Sequence, residues 1–371
     1  MQRLSLLFAF ALAADLSAQG THPKRPRLPS DADTNDAAVY FAWGSNQAQM
    51  PNEAGAAFYW AERLDPSESA YLLARYRAIW TQQTPQWRRW YLAGNKSTLS
   101  SKPAKLLDSL EERLRLRDPF PQLPLEYCYK YPEIARMGDG LTRALVYFDV
   151  GCHREAALEF ETALAEHPEE VEFRLWWARA LVTTDRYADA AVQVQIVLDS
   201  LRARDAATLR YGYESKEYLE YVIAEVHRRR RDYRAAVAGY GRALAENLGF
   251  YPAHVRLAEL ARQQKRPFEA AREYAAALEA GGDHAVLHHD YGVVLLENGN
   301  PAEAETHLRR ALELEPYWAS AHFHLARALD TLGRGDDAGQ RYRTFLTHAA
   351  KKMVKLRGEA EARLTALGGT P

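Results

Sequence analysis

The sequence predicts an all-α fold, a right-handed α-solenoid of stacked helix–turn–helix repeats with a C-terminal capping helix. Two observations carry the prediction. Six alanines, Ala156, Ala190, Ala236, Ala270, Ala304 and Ala338, follow one another at intervals of 34, 46, 34, 34 and 34 residues. Twelve residues ahead of each stands another small residue: Ala144, Ala178, Ala224, Ala258, Gly292 and Ala326. Small residues held in phase over six periods mark a repeated close contact between two helices. A period of this length belongs to stacked units, not to one closed core around a catalytic pocket.

Each period contains two helices. Four residues after each alanine comes Phe160, Val194, Tyr240, Tyr274, Leu308 or Tyr342, and three further on Ala163, Val197, Ala243, Ala277, Ala311 or Phe345. The i, i+4, i+7 spacing is one face of a second helix. The upstream small residue, followed three later by Tyr147, Leu181, His227, Ala261, Leu295 or Leu329, marks the first. Turn signals separate the two: Gly151, Asp185–Arg186, Asn298-Gly299-Asn300-Pro301 and Gly333-Arg334-Gly335. Pro168 and Pro316 close two periods, as prolines do beyond a helix end.

The stretches YGVVLLENGNPAEAETHLRRALELEP and FHLARALDTLGRGDDAGQRYRTFL resemble the tetratricopeptide repeat, and the resemblance covers roughly residues 134–350. It departs from the pattern in three ways. The usual early Trp is missing, Gly281-Gly282 stands where a helix-ending Pro is common, and the second-to-third junction carries extra residues. The resemblance implies a protein- or peptide-binding scaffold whose first helices line a concave groove. Mapped onto this sequence, that groove includes Arg179, Tyr218, Tyr221, Glu225, Arg228, Arg262, His289, Phe323 and Arg327.

The remaining elements follow in order. Residues 1–18 read as a secretory signal: Arg3, the apolar run Leu4–Ala14, then small residues, with cleavage expected after Ala13 or Ala18. Residues 19–33 read as a flexible polar lead. Residues 34–66 repeat the spacing once more in isolation, with Ala42, Ala54, Phe58, Ala61 and Pro66 in phase and Thr34, Asn35 or Asp36 as the N-cap. Residues 67–130 form a helical linker with a proline-rich loop. The array of six repeats spans 131–350, with an insertion around 200–217. Residues 351–371 supply the capping helix and tail, whose polar outer side keeps the last repeat soluble.

Composition narrows the function. The formal net charge is −1, which argues against nucleic acid as a partner. The apolar run near the N-terminus is shorter than the roughly 20 residues a membrane helix needs, so no span is expected in the mature chain. The two cysteines, Cys128 and Cys152, are expected to be free thiols. A continuous helix over 133–150 would hold them on the order of 25 Å apart, beyond the roughly 7 Å limit for a bridge.

No catalytic centre, metal site or cofactor site is predicted. His254, His288 and His322 recur at one repeat position, but equivalent atoms of successive repeats lie roughly 10 Å apart. That is too far to share a zinc ion bound at about 2 Å; helix packing explains the ladder. In DADTND, Asp36 and Ala42 replace the Gly and Glu of a calcium loop. GNKST lacks the Gly before Lys that a phosphate loop requires.

The expected function is therefore that of an exported, non-enzymatic scaffold, periplasmic or secreted. It would bind a protein or peptide in its groove and organise an envelope or secreted assembly. Trp87 and Trp90, on one face of QWRRWYLAG, offer an aromatic anchor. An alternative is a glycan or cell-wall polymer held by these N-terminal aromatics.

Overall fold

The structure, a computed structural model, describes residues 22–47, 51–83, 101–120, 138–149, 151–207 and 215–368. These form seventeen α-helices and no strand. An N-terminal block holds α1 (Ala37–Asn46), α2 (Pro51–Leu64), α3 (Ser69–Gln83) and α4 (Ser101–Arg117). Six helix pairs follow: α5 (Gly140–Asp149) with α6 (His153–Glu166), α7 (Phe173–Thr183) with α8 (Tyr187–Ala207), and α9 (Lys216–Arg229) with α10 (Tyr233–Glu246). The array continues with α11 (Tyr251–Gln263) and α12 (Pro267–Glu279), α13 (Ala285–Glu297) and α14 (Pro301–Leu314), and α15 (Ala319–Thr331) and α16 (Gly335–His348). Helix α17 (Val354–Ala366) packs on α16 as the cap.

The periodic residues make the stacking. All six marker alanines are fully buried, as are their large partners Phe160, Val194, Tyr240, Tyr274, Leu308 and Tyr342. The paired helices approach closely at the small residues. A Cβ on Gly239 would come within 2.7 Å of the Ala224 Cβ, and one on Gly292 within 2.7 Å of Leu308. Five residues before each marker alanine the backbone turns through the left-handed region, at Gly151, Asp185, Arg231, Lys265, Gly299 and Gly333. Three of these are not glycine, so the turn is set by the packing of the two helices as well as by local preference.

The long period is accounted for largely by helix. Helix α8 runs for 21 residues, against 13 or 14 for the other second helices of the array. Arg202 on its extension pairs with Glu220 of α9 (3.0 Å) and Glu246 of α10 (2.8 Å), tying the added turns to the third repeat.

Two expectations are corrected, on the close contact of the isolated pair and on the cysteines. Residues 22–33 are irregular; the Trp60 indole donates to the Pro23 carbonyl (2.8 Å), and the Arg25 guanidinium lies 4.4 Å from the Trp60 ring centre. In the isolated pair α1–α2 the close contact is made by Gly44, where a Cβ would meet Phe58 at 2.8 Å, whereas Ala42 is exposed. Finally, Cys152 is disulfide-bonded. The expectation of free thiols rested on one rigid helix over 133–150, and the described helix begins at Gly140. Cys128, the other cysteine of the sequence, lies outside the described residues.

Candidate functional site

Helix α4 ends against the first helices α9 and α11 of the array. The last carbonyls of an α-helix have no partner within the helix, and its C-terminus carries partial negative charge. Here the array supplies both needs. The Tyr221 hydroxyl donates to the Leu116 carbonyl at 3.0 Å, and the Arg256 guanidinium donates to the Arg117 carbonyl. Arg229 pairs with Asp118 (2.7 Å) and donates to the Phe120 carbonyl (3.0 Å). Arg115 of α4 lies over the Tyr218 ring, 4.4 Å from its centre.

Beneath this contact is a buried charge network. Glu225 has no exposed surface; it accepts from Arg228 (2.8 Å) and from the Tyr240 hydroxyl, and pairs with Arg256 (3.2 Å). Burial opposes its ionisation, yet Arg256 and Arg228 outweigh burial and hold the carboxyl below its ordinary value. Arg256 also pairs with Glu259 (2.7 Å). A buried carboxylate so fully paired is a fixed part of the wall.

Further along, His289 is buried with both ring nitrogens engaged, Nδ1 with Asp290 (2.8 Å) and Nε2 with the Ser320 hydroxyl (3.1 Å). The order of contacts is that of a hydrolase relay. Here the ring is packed against the Trp318 indole, centres 4.1 Å apart, and the set joins α13 to the first turn of α15 as a strut. The recurring histidines lie between paired helices: His254 meets Glu273 (2.9 Å) and His288 meets His307 (3.0 Å).

The expected groove residues thus divide. Tyr218, Tyr221, Glu225, His289 and Phe323 are buried, Arg179 and Arg228 are half-buried, and Arg262 and Arg327 are exposed. Phe323 belongs to the core, its ring 5.2 Å from that of Phe345. Tyr218 and Tyr221 face α4 of the same chain. Trp87 and Trp90 lie outside the described residues. Among the described residues an open cavity of about 320 Å³ is lined by Glu259, Arg262, Gln263, Tyr274 and Asp290. At its edge Arg262 pairs with Glu297 (2.9 Å), both well exposed. Arg256, which with Arg229 holds the end of α4, escaped the sequence reading; Arg229 stands on the first-helix face that the resemblance maps to the groove. Their basic side chains look solvated until the chain's own carbonyls are brought to them.

Models of the tetratricopeptide repeat match residues 141–209, 221–285 and 295–351, together just over half of the chain. The chain belongs to the tetratricopeptide repeat family. The array is accordingly a tetratricopeptide repeat (TPR) solenoid, a fold that serves as a scaffold for protein or peptide partners. No curated protein matches the sequence. Among solved structures it is similar to YrrB, titled a TPR protein with an unusual peptide-binding site (21% identity, 40% of this chain and 76% of that one, TM-score 0.38). It is also similar to MamA (18% identity, 39% of this chain and 85% of that one, TM-score 0.37). A third is the TPR domain of Arabidopsis OM64 (21% identity, 31% and 94%, TM-score 0.29). Among the described residues no helix is long and apolar enough to cross a membrane.

Proposed function

We propose that this TPR solenoid is an exported, non-enzymatic scaffold that takes a peptide segment of a partner protein on the open part of its first-helix face. The observation that carries the reading is the cavity lined by Glu259, Arg262, Gln263, Tyr274 and Asp290, next to the stretch that α4 already occupies. Its lining offers both signs of charge and an amide over the buried ring of Tyr274. An extended peptide needs just these groups for its backbone and for mixed-charge side chains. The Arg262–Glu297 pair is exposed, so exchanging its carboxylate for one from a ligand costs little. Arg327, also exposed, extends the basic character toward the last repeat.

Export is inferred from the N-terminal Arg3 and apolar run, and the disulfide at Cys152 supports it, because such bonds persist in oxidising compartments. The test is crosslinking and pull-down from the native envelope or secreted fraction, comparing the wild type with Arg262→Glu/Arg327→Glu. Both changes are at exposed positions and leave the core intact. Loss of specific partners is expected; a folded variant that retains every partner refutes the peptide reading.

A further inference from the structure

The N-terminal block and the array each have their own apolar core. In the block, Tyr40, Phe41, Phe58 and Trp60 pack with α3, and Leu72, Leu73, Leu110 and Leu114 join α3 to α4. The array's cores run separately through its paired helices. Among the described residues the apolar side chains that bridge the two are few: Phe120 and Leu116 pack into the array, and Tyr317 packs onto the block. The helix pairs that approach most closely each lie within one part.

The seam is instead polar and spread over three places. At the first, the end of α4 meets Tyr221, Arg229 and Arg256. At the second, Arg63 of α2 meets Glu315 (3.0 Å) while Trp60 sets its ring edge against Tyr317, centres 5.3 Å apart. At the third, Asp36 pairs with Lys352 (2.8 Å), the Asn35 amide donates to the Thr347 carbonyl (2.8 Å), and the Lys351 amide donates to Asp33 (2.5 Å). These contacts link residues up to 318 positions apart and run from the third repeat to the cap.

We propose that the N-terminal block is a separable plug, docked by this polar seam along the groove of the TPR array, and that its α4 marks the ligand chemistry of the closed stretch. Two units that each pack their own core and meet largely through polar contacts can move as units. The closed stretch takes an amphipathic helix that offers an arginine to Tyr218, as Arg115 does, and a free C-terminal turn to Tyr221 and Arg256. A partner helix of that chemistry binds there only when the block lifts. This inference concerns the closed stretch and stands apart from the peptide reading of the open cavity.

The test uses the full chain. Amide exchange is followed by mass spectrometry at low and high salt, for the wild type and for Arg63→Glu/Lys352→Glu, which reverses the cation at the second and third places and leaves intact Arg229, which receives the end of α4. Binding of a labelled peptide of residues 101–120 is measured on both. Salt weakens the Lys352–Asp36 pair, whose lysine is exposed, more than the part-buried Arg63–Glu315 and Arg229–Asp118 pairs, so exchange should quicken about tenfold at the third place with salt and across α4 in the variant, while α12 and α14 stay protected. The variant should bind the peptide at least about tenfold more tightly than the wild type. The salt series needs no variant, so a variant that fails to fold does not decide the matter. Equal protection at both salts, loss of protection across the whole chain at once, or equal peptide binding by the two proteins overturns the proposal.

Discussion

The Tyr221 hydroxyl donates a 3.0 Å hydrogen bond to the carbonyl of Leu116, 105 positions earlier in the chain. Tyr221 is fully buried, and its phenol is pushed well above the ordinary range, first by burial. It therefore acts as a neutral donor that caps α4. Tyr221→Phe keeps the ring and leaves the carbonyl without this donor. A loss of about 1 kcal/mol is expected, read from urea unfolding, together with faster amide exchange in the last turn of α4. Unchanged exchange there would mean that the hydroxyl does not hold the helix end.

The second seam contact titrates. Burial raises the Glu315 carboxyl to about 7, against the pull of Arg63. Its folded value lies above the ordinary 4.5, so the native state holds this proton more tightly. The stability it contributes is present below pH 4.5 and lost as pH rises through 7. Other groups run the opposite way. His284 and His322 are pushed down, first by burial, to about 3 and about 4, so their contributions are lost as pH falls below the ordinary 6.5. A difference measurement isolates Glu315. The stability of Glu315→Gln relative to wild type should increase as pH rises from about 5 to about 8. A difference that stays flat across that range rules out Glu315 as the titrating group.

Gly239 allows α9 and α10 their close approach. A Cβ there would stand 2.7 Å from the Ala224 Cβ and 3.2 Å from its Cα, where backbone has no room to yield. Gly239→Ala should destabilise the array by about 1–3 kcal/mol despite its better helix propensity. A melting temperature at or above that of the wild type would show that the pair can spread without cost.

Cys152 is buried and bonded. Iodoacetamide should leave it unmodified in the native chain and in denaturant, and label it only after reductant is added. Labelling in denaturant without reductant would mean a free thiol. Cys152→Ser should lower stability, by a typical 2–4 kcal/mol for a bridge in a model of lost unfolded-state freedom.

The array was legible because its rule is local. Ala156 and Phe160 lie on one helix turn, and the same contact recurs in every period, so the sequence repeats its own evidence. Pairing of α1 with α2 was legible too, although the contact passes through Gly44 and not through the in-phase Ala42. The disulfide was missed for a related reason: a rod-like helix was assumed where the described one starts later, at Gly140.

The candidate site divides along the same line. Arg262 and Arg327 are exposed, because a first-helix position on a repeat stays open unless something covers it. The repeat pattern cannot report what covers it. Residues 67–130 read as a linker, since nothing in SKPAKLLDSLEERLRLRD states which surface receives its arginines.

By itself, then, the sequence determined the repeat, its number, its longer second-to-third junction and the capped end, all products of contacts between residues a few tens of positions apart. The tertiary structure alone decided that the middle of the groove is closed by the same chain. That closure rests on Tyr221 with Leu116, Arg63 with Glu315 and Asp36 with Lys352. Such single, non-repeating, long-range polar contacts leave no period to read, because each is set by where two separately packed units meet.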